Sequence, residues 1–161
     1  MNGQILQTTT LGRITITNML AGGAQGEVYH INNPDYLLKV WRPEDVGTPA
    51  DIAAMKKDAI RRYNTFARLN FGADREVTCL PLEYLQVDYD GPTPAYLMRR
   101  ATGQEMQRNI RSLSTLRPRE RLHTARSLAN TVSFLHARQV VHADFKPGNF
   151  FYDGSRLVQI L

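Results

Sequence analysis

A polar segment between two apolar stretches is the feature that most limits what this chain can fold into. The segment is HADFKPGN at residues 142–149. It follows a run from residue 118 to about residue 138 in which apolar side chains recur at helical spacing, and it precedes a short aromatic run typical of a strand. A carboxylate, an ammonium group and an amide therefore stand at fixed spacing in one loop. Either they form a functional site, or the aspartate and the asparagine only cap turns.

This segment resembles the catalytic loop of the protein kinase family, whose pattern is H-x-D-x-K-P-x-N. In that family the aspartate accepts the proton of the substrate hydroxyl, the lysine offsets charge on the transferred phosphoryl group, and the asparagine holds Mg²⁺. The resemblance implies that Asp144 is the catalytic base, that Lys146 contacts the phosphoryl group and that Asn149 is a metal ligand. Lys146 favours a Ser/Thr-type protein kinase, since small-molecule phosphotransferases of related fold tend to lack this lysine.

A glycine cluster, LAGGAQGEV, occupies residues 20–28. Glycines let a turn between two strands lie close to phosphates, so that its N–H groups face the negative oxygens. The cluster resembles the kinase pattern G-x-G-x-x-G-x-V, except that Ala21 replaces the first glycine. An ordinary glycine-rich hairpin is the alternative. The resemblance implies a nucleotide-binding turn formed by Leu20, Gly22, Gly23, Gly26 and Val28.

Lys39 lies thirteen residues after Gly26 in the apolar stretch LLKVW. An ammonium group there must find a counter-charge or stay at an exposed edge. Its place resembles that of the kinase lysine that grips the α and β phosphates of ATP and is itself held by a glutamate of the next helix. That helix contains no glutamate here, and Asp58 stands at the corresponding place. A surface pair between Asp58 and Arg62, four residues later, is the alternative.

The segment YLMRRATGQE at residues 96–105 resembles the kinase hinge that contacts adenine. The resemblance implies that Met98 lines the adenine site and that the backbone around Arg100 bonds to adenine. It also implies that Glu105 faces the ribose. The ligands implied by these resemblances are ATP and Mg²⁺, with a Ser or Thr hydroxyl of a protein as the acceptor.

Hydrophobic periodicity predicts an α+β fold, which the resemblance makes protein kinase-like. Residues 1–101 are expected to form a small lobe with a five-stranded antiparallel sheet and one helix. Three of its strands lie between residues 11 and 40, and two more lie at 80–87 and 95–98. The helix is predicted to start after Thr48, a residue favoured as an N-cap, and to end near Leu69.

Residues 102–161 are expected to form a partial, mostly helical large lobe. Predicted helices cover residues 105–111 and 118–138, and the catalytic loop follows them. Short strands are predicted at residues 140–141, 149–152 and 157–161, the last two as a hairpin. We expect the apolar stripe of the longer helix to be partly exposed and to promote association, a stripe formed by Leu122, Leu128, Val132 and Leu135.

Charge and composition exclude several other functions. The net charge is +5, and eight arginines lie between Tyr96 and Arg126 against two acids. No aromatic residue lies among these arginines to stack on bases, so nucleic acid is not an expected partner. The single cysteine, Cys79, excludes an internal disulfide and a thiolate metal cluster. No apolar run approaches the roughly 18 residues of a membrane span, and no signal peptide opens the chain, so we expect a cytoplasmic protein.

The last residues, VQIL, resemble the strand that leads into the D-F-G motif of kinases, one residue before its metal-binding aspartate. We therefore expect a fragment or shortened form of a bacterial-type Ser/Thr protein kinase that binds nucleotide weakly and transfers phosphate poorly. Ala143 stands where regulated kinases carry an arginine, so phosphorylation of an activation loop is not the expected switch. Two alternatives are a small-molecule phosphotransferase of the aminoglycoside type, using Asp144 and Asn149 in the same roles, and a noncatalytic pseudokinase or interaction module.

Overall fold

The computed structural model describes residues 1–23, 26–41, 48–68, 81–88, 91–108, 110–153 and 157–159. The chain divides into two units. The first comprises Met1–Asn70 and Pro81–Arg100, and the second has its described residues within Ala101–Leu161. Within the described residues, no helix combines the length and the apolar character that crossing a membrane requires.

The first unit contains an antiparallel sheet of six strands in the order β1-β2-β3-β4-β6-β5. The prediction of five strands is therefore wrong. The additional strand, β1, folds back on β2 in a short hairpin in which Ile5 faces Thr15 and Thr8 faces Gly12. A four-residue strand at a sheet edge has too little apolar periodicity to stand out in a sequence. The strands are β1 (Ile5–Thr8), β2 (Gly12–Gly23), β3 (Gly26–Ile31), β4 (Tyr36–Val40), β5 (Pro81–Asp88) and β6 (Pro92–Arg99).

Successive side chains of a strand point to opposite sides of the sheet, so the sheet has one face that forms the core and a second, opposite face. Leu38 and Val40 of β4 point into the core, and Lys39 between them points the other way. Burying a side chain such as Leu38 contributes about 1.5–3 kcal/mol, so this face accounts for much of the unit's stability. The core consists of Ile14, Ile16, Tyr29, Ile31, Leu38, Val40, Leu85, Val87, Ala95 and Leu97.

The predicted helix of the first unit is confirmed as α1 (Pro49–Arg68). Thr48 caps it, because its hydroxyl oxygen accepts the backbone N–H of Asp51 at 3.3 Å. The helix packs on β5 and β6 through Ala59, which is fully buried and whose carbonyl accepts a hydrogen bond from the Tyr96 hydroxyl. Helix α1 is therefore fixed to the second face of the sheet.

The second unit combines helices with a three-stranded sheet in the order β7-β8-β9. The predicted long helix is confirmed as α3, and the predicted hairpin as β8 and β9. The helix predicted over residues 105–111 starts later, at Ile110, and its predicted start at residue 105 is wrong, because Gln104 and Glu105 pair with Tyr152 and Phe151 as a strand. The elements are β7 (Gln104–Glu105), α2 (Ile110–Thr115), α3 (Pro118–His136), β8 (Phe150–Tyr152) and β9 (Leu157–Gln159).

The strand predicted at residues 140–141 is also wrong. Val140 is buried, but Val141 is exposed, and neither residue belongs to a strand. Gln139 just before them has a positive φ of 60°, the left-handed conformation that often follows a helix end. The two valines therefore belong to the loop that leads out of α3.

The apolar stripe of α3 is only partly exposed. Leu122 is 71% exposed, whereas Leu135 is buried, in agreement with the expectation that the stripe is partly exposed. A groove of about 500 Å³ runs along the same helix and is partly lined by Phe145 of the following loop. Association through this face stays a prediction. The groove is lined by Ala125, Leu128, Ala129, Val132, Ser133, His136 and Phe145.

The Glu83 carboxylate ties the hairpin of β1 and β2 to β5, because it accepts the backbone N–H groups of Thr9 and Thr10 at 2.7 and 2.9 Å. Burial acts to raise the pKa of Glu83, but these hydrogen bonds outweigh it and hold the pKa below its ordinary value. The pKa of Glu83 is therefore lower in the folded state than in the unfolded state. The ionised carboxylate stabilises the fold fully at pH values above its unfolded-state pKa, and this stabilisation is lost as pH falls through its folded-state pKa.

Replacing Glu83 by glutamine should therefore destabilise the first unit by about 1–2 kcal/mol at pH 7, since charged hydrogen bonds to two amides are lost. Denaturant unfolding measures this difference. The gap between the wild type and Glu83→Gln should narrow as pH is lowered from about 4.5, the ordinary range of a glutamate. A gap that stays constant down to pH 3 would contradict the assigned role of the carboxylate.

Candidate functional site

The loop between α3 and β8 is attached to the interior of the second unit by aromatic side chains. The Phe150 ring is buried and stacks with His142 at a centroid distance of 6.1 Å. Phe145 meets the same ring edge to face at 4.7 Å. Ala143 has a positive φ of 60°, a conformation that side chains other than glycine, asparagine and aspartate seldom adopt. This backbone turn follows His142 and directly precedes Asp144.

The structure brings the three residues predicted from the loop motif together. The Nζ atom of Lys146 lies 2.8 Å from Oδ2 of Asp144. Nδ2 of Asn149 donates to the same carboxylate oxygen at 2.9 Å and to the backbone carbonyl of Asp144 at 2.7 Å. The carboxylate thus lies between an ammonium group and an amide.

The hydrogen bond from Lys146 is the main reason that the pKa of Asp144 lies below its ordinary value, and the bond from Asn149 acts in the same direction. Asp144 is therefore ionised at neutral pH and can accept a hydrogen bond from a hydroxyl. The side chains of Lys146 and Asp144 are 59% and 54% exposed, so a second molecule has access to both.

Asn149 is the one predicted metal ligand. Both hydrogen bonds to Asp144 use its amide nitrogen, which leaves the oxygen Oδ1 as its acceptor. Within the described residues, no group of three or more His, Cys, Asp and Glu side chains could hold a metal ion. Mg²⁺ commonly takes only one or two protein oxygens and completes its shell with phosphate oxygens and water. A single amide oxygen is therefore compatible with Mg²⁺ that arrives with a phosphate ligand.

Strand β7 and the residue after it bond to β8, directly behind the loop that carries Asp144. The backbone N–H of Met106, just after β7, donates to the carbonyl of Phe150 at 2.7 Å. Glu105, predicted to face a ribose, forms a salt bridge of 3.1 Å with Nε of Arg108. A Cβ atom added at Gly148 would lie 3.5 Å from a carboxylate oxygen of Glu105, so Glu105 is close to the loop that carries Asp144. Its predicted contact with a ribose stays a prediction.

The glycine turn belongs to the first unit, where Gly22 and Gly23 of β2 face Glu27 and Gly26 of β3. Residues 24 and 25, at the predicted tip, lie outside the described residues. Gly26 has a φ of +139°, and a Cβ atom there would lie 2.2 Å from the Val40 carbonyl oxygen, so only glycine fits. Of the other predicted residues of this turn, Leu20 is exposed, and Val28 faces Lys39 on β4.

Lys39 lies in the middle of the sheet, between Val28 of β3 and Tyr96 of β6. Burial lowers its pKa, and the nearby charge of Arg62 lowers the pKa further. Asp58 does not neutralise this lysine. Its carboxylate bonds to Arg61 and, at 2.6 Å, to Nε of Arg62. The structure therefore contains the surface pair that the sequence had left open as an alternative.

The predicted hinge residues have clear positions. Met98 is buried and faces Leu37 across the sheet. The backbone N–H of Arg100 donates to the carbonyl of Asp35 at 2.8 Å, so this amide is already satisfied. If Arg100 contributes a backbone group to adenine binding, that group is its carbonyl.

An aromatic cluster beside Lys39 was not predicted from the sequence. The Tyr96 ring stacks on Tyr63 at 6.1 Å and contacts Trp41 edge to face at 6.2 Å. Burial raises the pKa of Tyr96 to about 12, which keeps its hydroxyl protonated as a donor. The sequence did contain a signal for this cluster. Tyr84 and Tyr96 alternate with core residues along β5 and β6, so both rings point to the face opposite the core.

Comparisons with known proteins support the fold. No protein-family model matches the chain, and no curated protein matches it. The structure is similar to the solved structure PpkA-294 apo form, a fragment of a bacterial Ser/Thr kinase, with a TM-score of 0.71 and 11% sequence identity. The match covers 99% of this chain and 61% of that chain, so this chain spans less than two thirds of the neighbour's length. At this level of identity the likeness concerns the fold alone, and the chain has a kinase-like fold.

Proposed function

We propose that this chain is part of an ATP-dependent Ser/Thr protein kinase, which transfers the γ-phosphoryl group of ATP to a protein hydroxyl. The observation that carries the proposal is the loop in which Asp144 is bonded to both Lys146 and Asn149. Phosphoryl transfer requires a proton acceptor, a cation near the transferred group and an oxygen ligand for the metal. The kinase-like fold supports the same proposal.

Asp144 orients the substrate hydroxyl and accepts its proton as the new oxygen–phosphorus bond forms and the bond from the γ-phosphorus to the oxygen of the leaving ADP breaks. Lys146, held 2.8 Å from this carboxylate, places its ammonium group where charge develops on the transferred oxygens. Asn149 fixes the direction of the carboxylate through its amide nitrogen. Catalysis by these residues consists of positioning and charge stabilisation.

Two groups would hold the nucleotide and its metal ion. Asn149 Oδ1 would hold Mg²⁺, which supplies positive charge at the phosphates when it is bound. Lys39 would neutralise the α and β phosphates, and its partial burial makes an anionic partner more favourable than it is for an exposed lysine. That Lys39 and Asp144 face one nucleotide stays a prediction.

A nucleotide-binding module without transfer activity is the second candidate. It is favoured by the Asp58 carboxylate, which bonds to Arg61 and Arg62, so Lys39 has no carboxylate partner among the described residues. In active kinases the corresponding ion pair must be in place. Nucleotide binding without transfer to any protein hydroxyl would favour this candidate.

Calorimetric titration of the 161-residue chain with Mg²⁺ and ATP tests the proposal. We expect binding that Lys39→Met weakens about tenfold or more, because a buried phosphate contact is lost. Lys57→Met, at an exposed position of α1, is the matched control and should leave the affinity unchanged. Absence of ATP binding, or equal affinity in the wild type and Lys39→Met, would overturn the proposal.

A further inference from the structure

Arg62 lies on the same side of the sheet as Lys39. Its guanidinium group lies over the Trp41 ring, 5.6 Å from the centroid. Trp41 follows Lys39 by two residues and continues the pairing with β6, because its N–H donates to the Pro94 carbonyl at 3.0 Å. Alternate residues of an extended strand project to the same side, so Trp41 brings Arg62 next to Lys39.

The aromatic cluster fixes the rotation of α1 that produces this arrangement. Tyr96 faces Lys39 across the sheet, and its hydroxyl bonds to the carbonyl of Ala59. Ala59 is fully buried and lies between Asp58 and Arg62 in the chain. Stacking of Tyr63 on Tyr96 holds the turn of helix that carries Arg62. Arg62 is therefore positioned by packing as well as by its bond to Asp58.

Positive charge exceeds negative charge around Lys39 and Arg62 within the described residues. One carboxylate, that of Asp58, accompanies Lys39, Arg61 and Arg62. Arg61 is 77% exposed and its charge is solvated, whereas Lys39 is partly buried and forms no ion pair with Asp58, whose carboxylate bonds to Arg61 and Arg62. Two neighbouring cations that lack a shared anion repel each other, and a phosphate group would relieve that repulsion.

Given the proposed function, we propose that Arg62 acts beside Lys39 as a second cation for the phosphate chain of the bound nucleotide, and that Asp58 positions Arg62 instead of pairing with Lys39. A guanidinium group suits this role because its planar donors match two phosphate oxygens. Nε is occupied by Asp58, which leaves the terminal nitrogens of Arg62 for the ligand.

Titration of the chain with inorganic tripolyphosphate, and separately with Mg²⁺ and ATP, tests this role. Arg62→Gln should weaken both ligands about tenfold or more, as expected when a charge-assisted contact is lost. Arg61→Gln is the matched control, since Arg61 bonds to the same carboxylate but points to solvent, and its affinities should stay within about twofold. Arg62→Lys, which keeps the charge, should give an intermediate affinity for tripolyphosphate.

Asp58→Asn separates this arrangement from the one in which Asp58 holds Lys39. Asparagine keeps an amide oxygen that can accept the Nε–H of Arg62, so the guanidinium group stays in place. The substitution removes only the negative charge near the phosphates, so we expect tripolyphosphate affinity to rise about two- to fivefold. Weakening of both ligands by Asp58→Asn, or unchanged affinity in Arg62→Gln, would overturn the role of Arg62. Thermal melts confirm that each variant is folded.

Failure of this inference is distinguishable from failure of the proposed function. If Lys39→Met abolishes ATP binding while Arg62→Gln binds as the wild type does, the role of Arg62 is wrong and the proposed function stands. If the wild type binds neither ATP nor tripolyphosphate, both are overturned.

Discussion

Replacing Asp144 by asparagine should lower the rate of phosphoryl transfer by about 10²–10⁴-fold, the contribution of a positioned general base. Asparagine keeps the shape of the side chain but cannot accept a proton from the hydroxyl. It also gives up the charged bond to Lys146. Transfer of labelled phosphate from ATP to a protein hydroxyl in the presence of Mg²⁺ measures the effect, relative to the rate that the wild-type chain reaches.

The same substitution should leave folding almost unchanged, since the side chains of Asp144 and Lys146 are both more than half exposed. Asp88→Asn, at an exposed position at the end of β5, is the matched control and should keep the wild-type rate. An Asp144→Asn variant that melts like the wild type and transfers phosphate as fast would remove Asp144 from the mechanism.

Replacing Gly103 by alanine should destabilise the second unit by about 3–5 kcal/mol, because a left-handed backbone and a steric overlap act together. Gly103 has a φ of +85°, and a Cβ atom there would lie 2.3 Å from the Tyr152 carbonyl oxygen. The chain would have to move away from β8 just before β7 begins. Denaturant unfolding measures the cost, and hydrogen exchange at Met106 N–H follows the loss of its bond to Phe150.

Gly12→Ala separates the two causes of that destabilisation. Gly12 has a φ of +70°, but a Cβ atom there would meet nothing within 4 Å. Gly12→Ala should therefore lower the free energy of unfolding only by the strain of an alanine in a left-handed backbone conformation, about 1–2 kcal/mol. Equal losses in Gly103→Ala and Gly12→Ala would mean that the second unit absorbs the overlap without strain.

The elements that the sequence predicted well are those with strong local signals. Thr48 with Asp51 marks the start of α1, and apolar residues at helical spacing define α3. The grouping of Asp144, Lys146 and Asn149 was predictable for the same reason, since all three lie within six consecutive residues. A short loop between a helix and a strand keeps such residues close whatever the rest of the chain does.

The elements that were missed depend on partners far away in the chain. Glu105 becomes part of a strand only because Phe151 is there to pair with it. Val140 and Val141 have strand-like side chains but find no strand partner among the described residues. The choice of Asp58 between Lys39 and Arg62 was open for a similar reason, because the rotation of α1 is set by Tyr96 and Ala59.

The partial burial of Lys39 has a chemical consequence beyond ligand binding. A lysine whose ammonium form is disfavoured carries more free amine near neutral pH than an ordinary exposed lysine does, and the free amine is the nucleophile. The same burial that lowers the pKa of Lys39 also limits access to its amine, so a reagent must fit the second face of the sheet to acylate it.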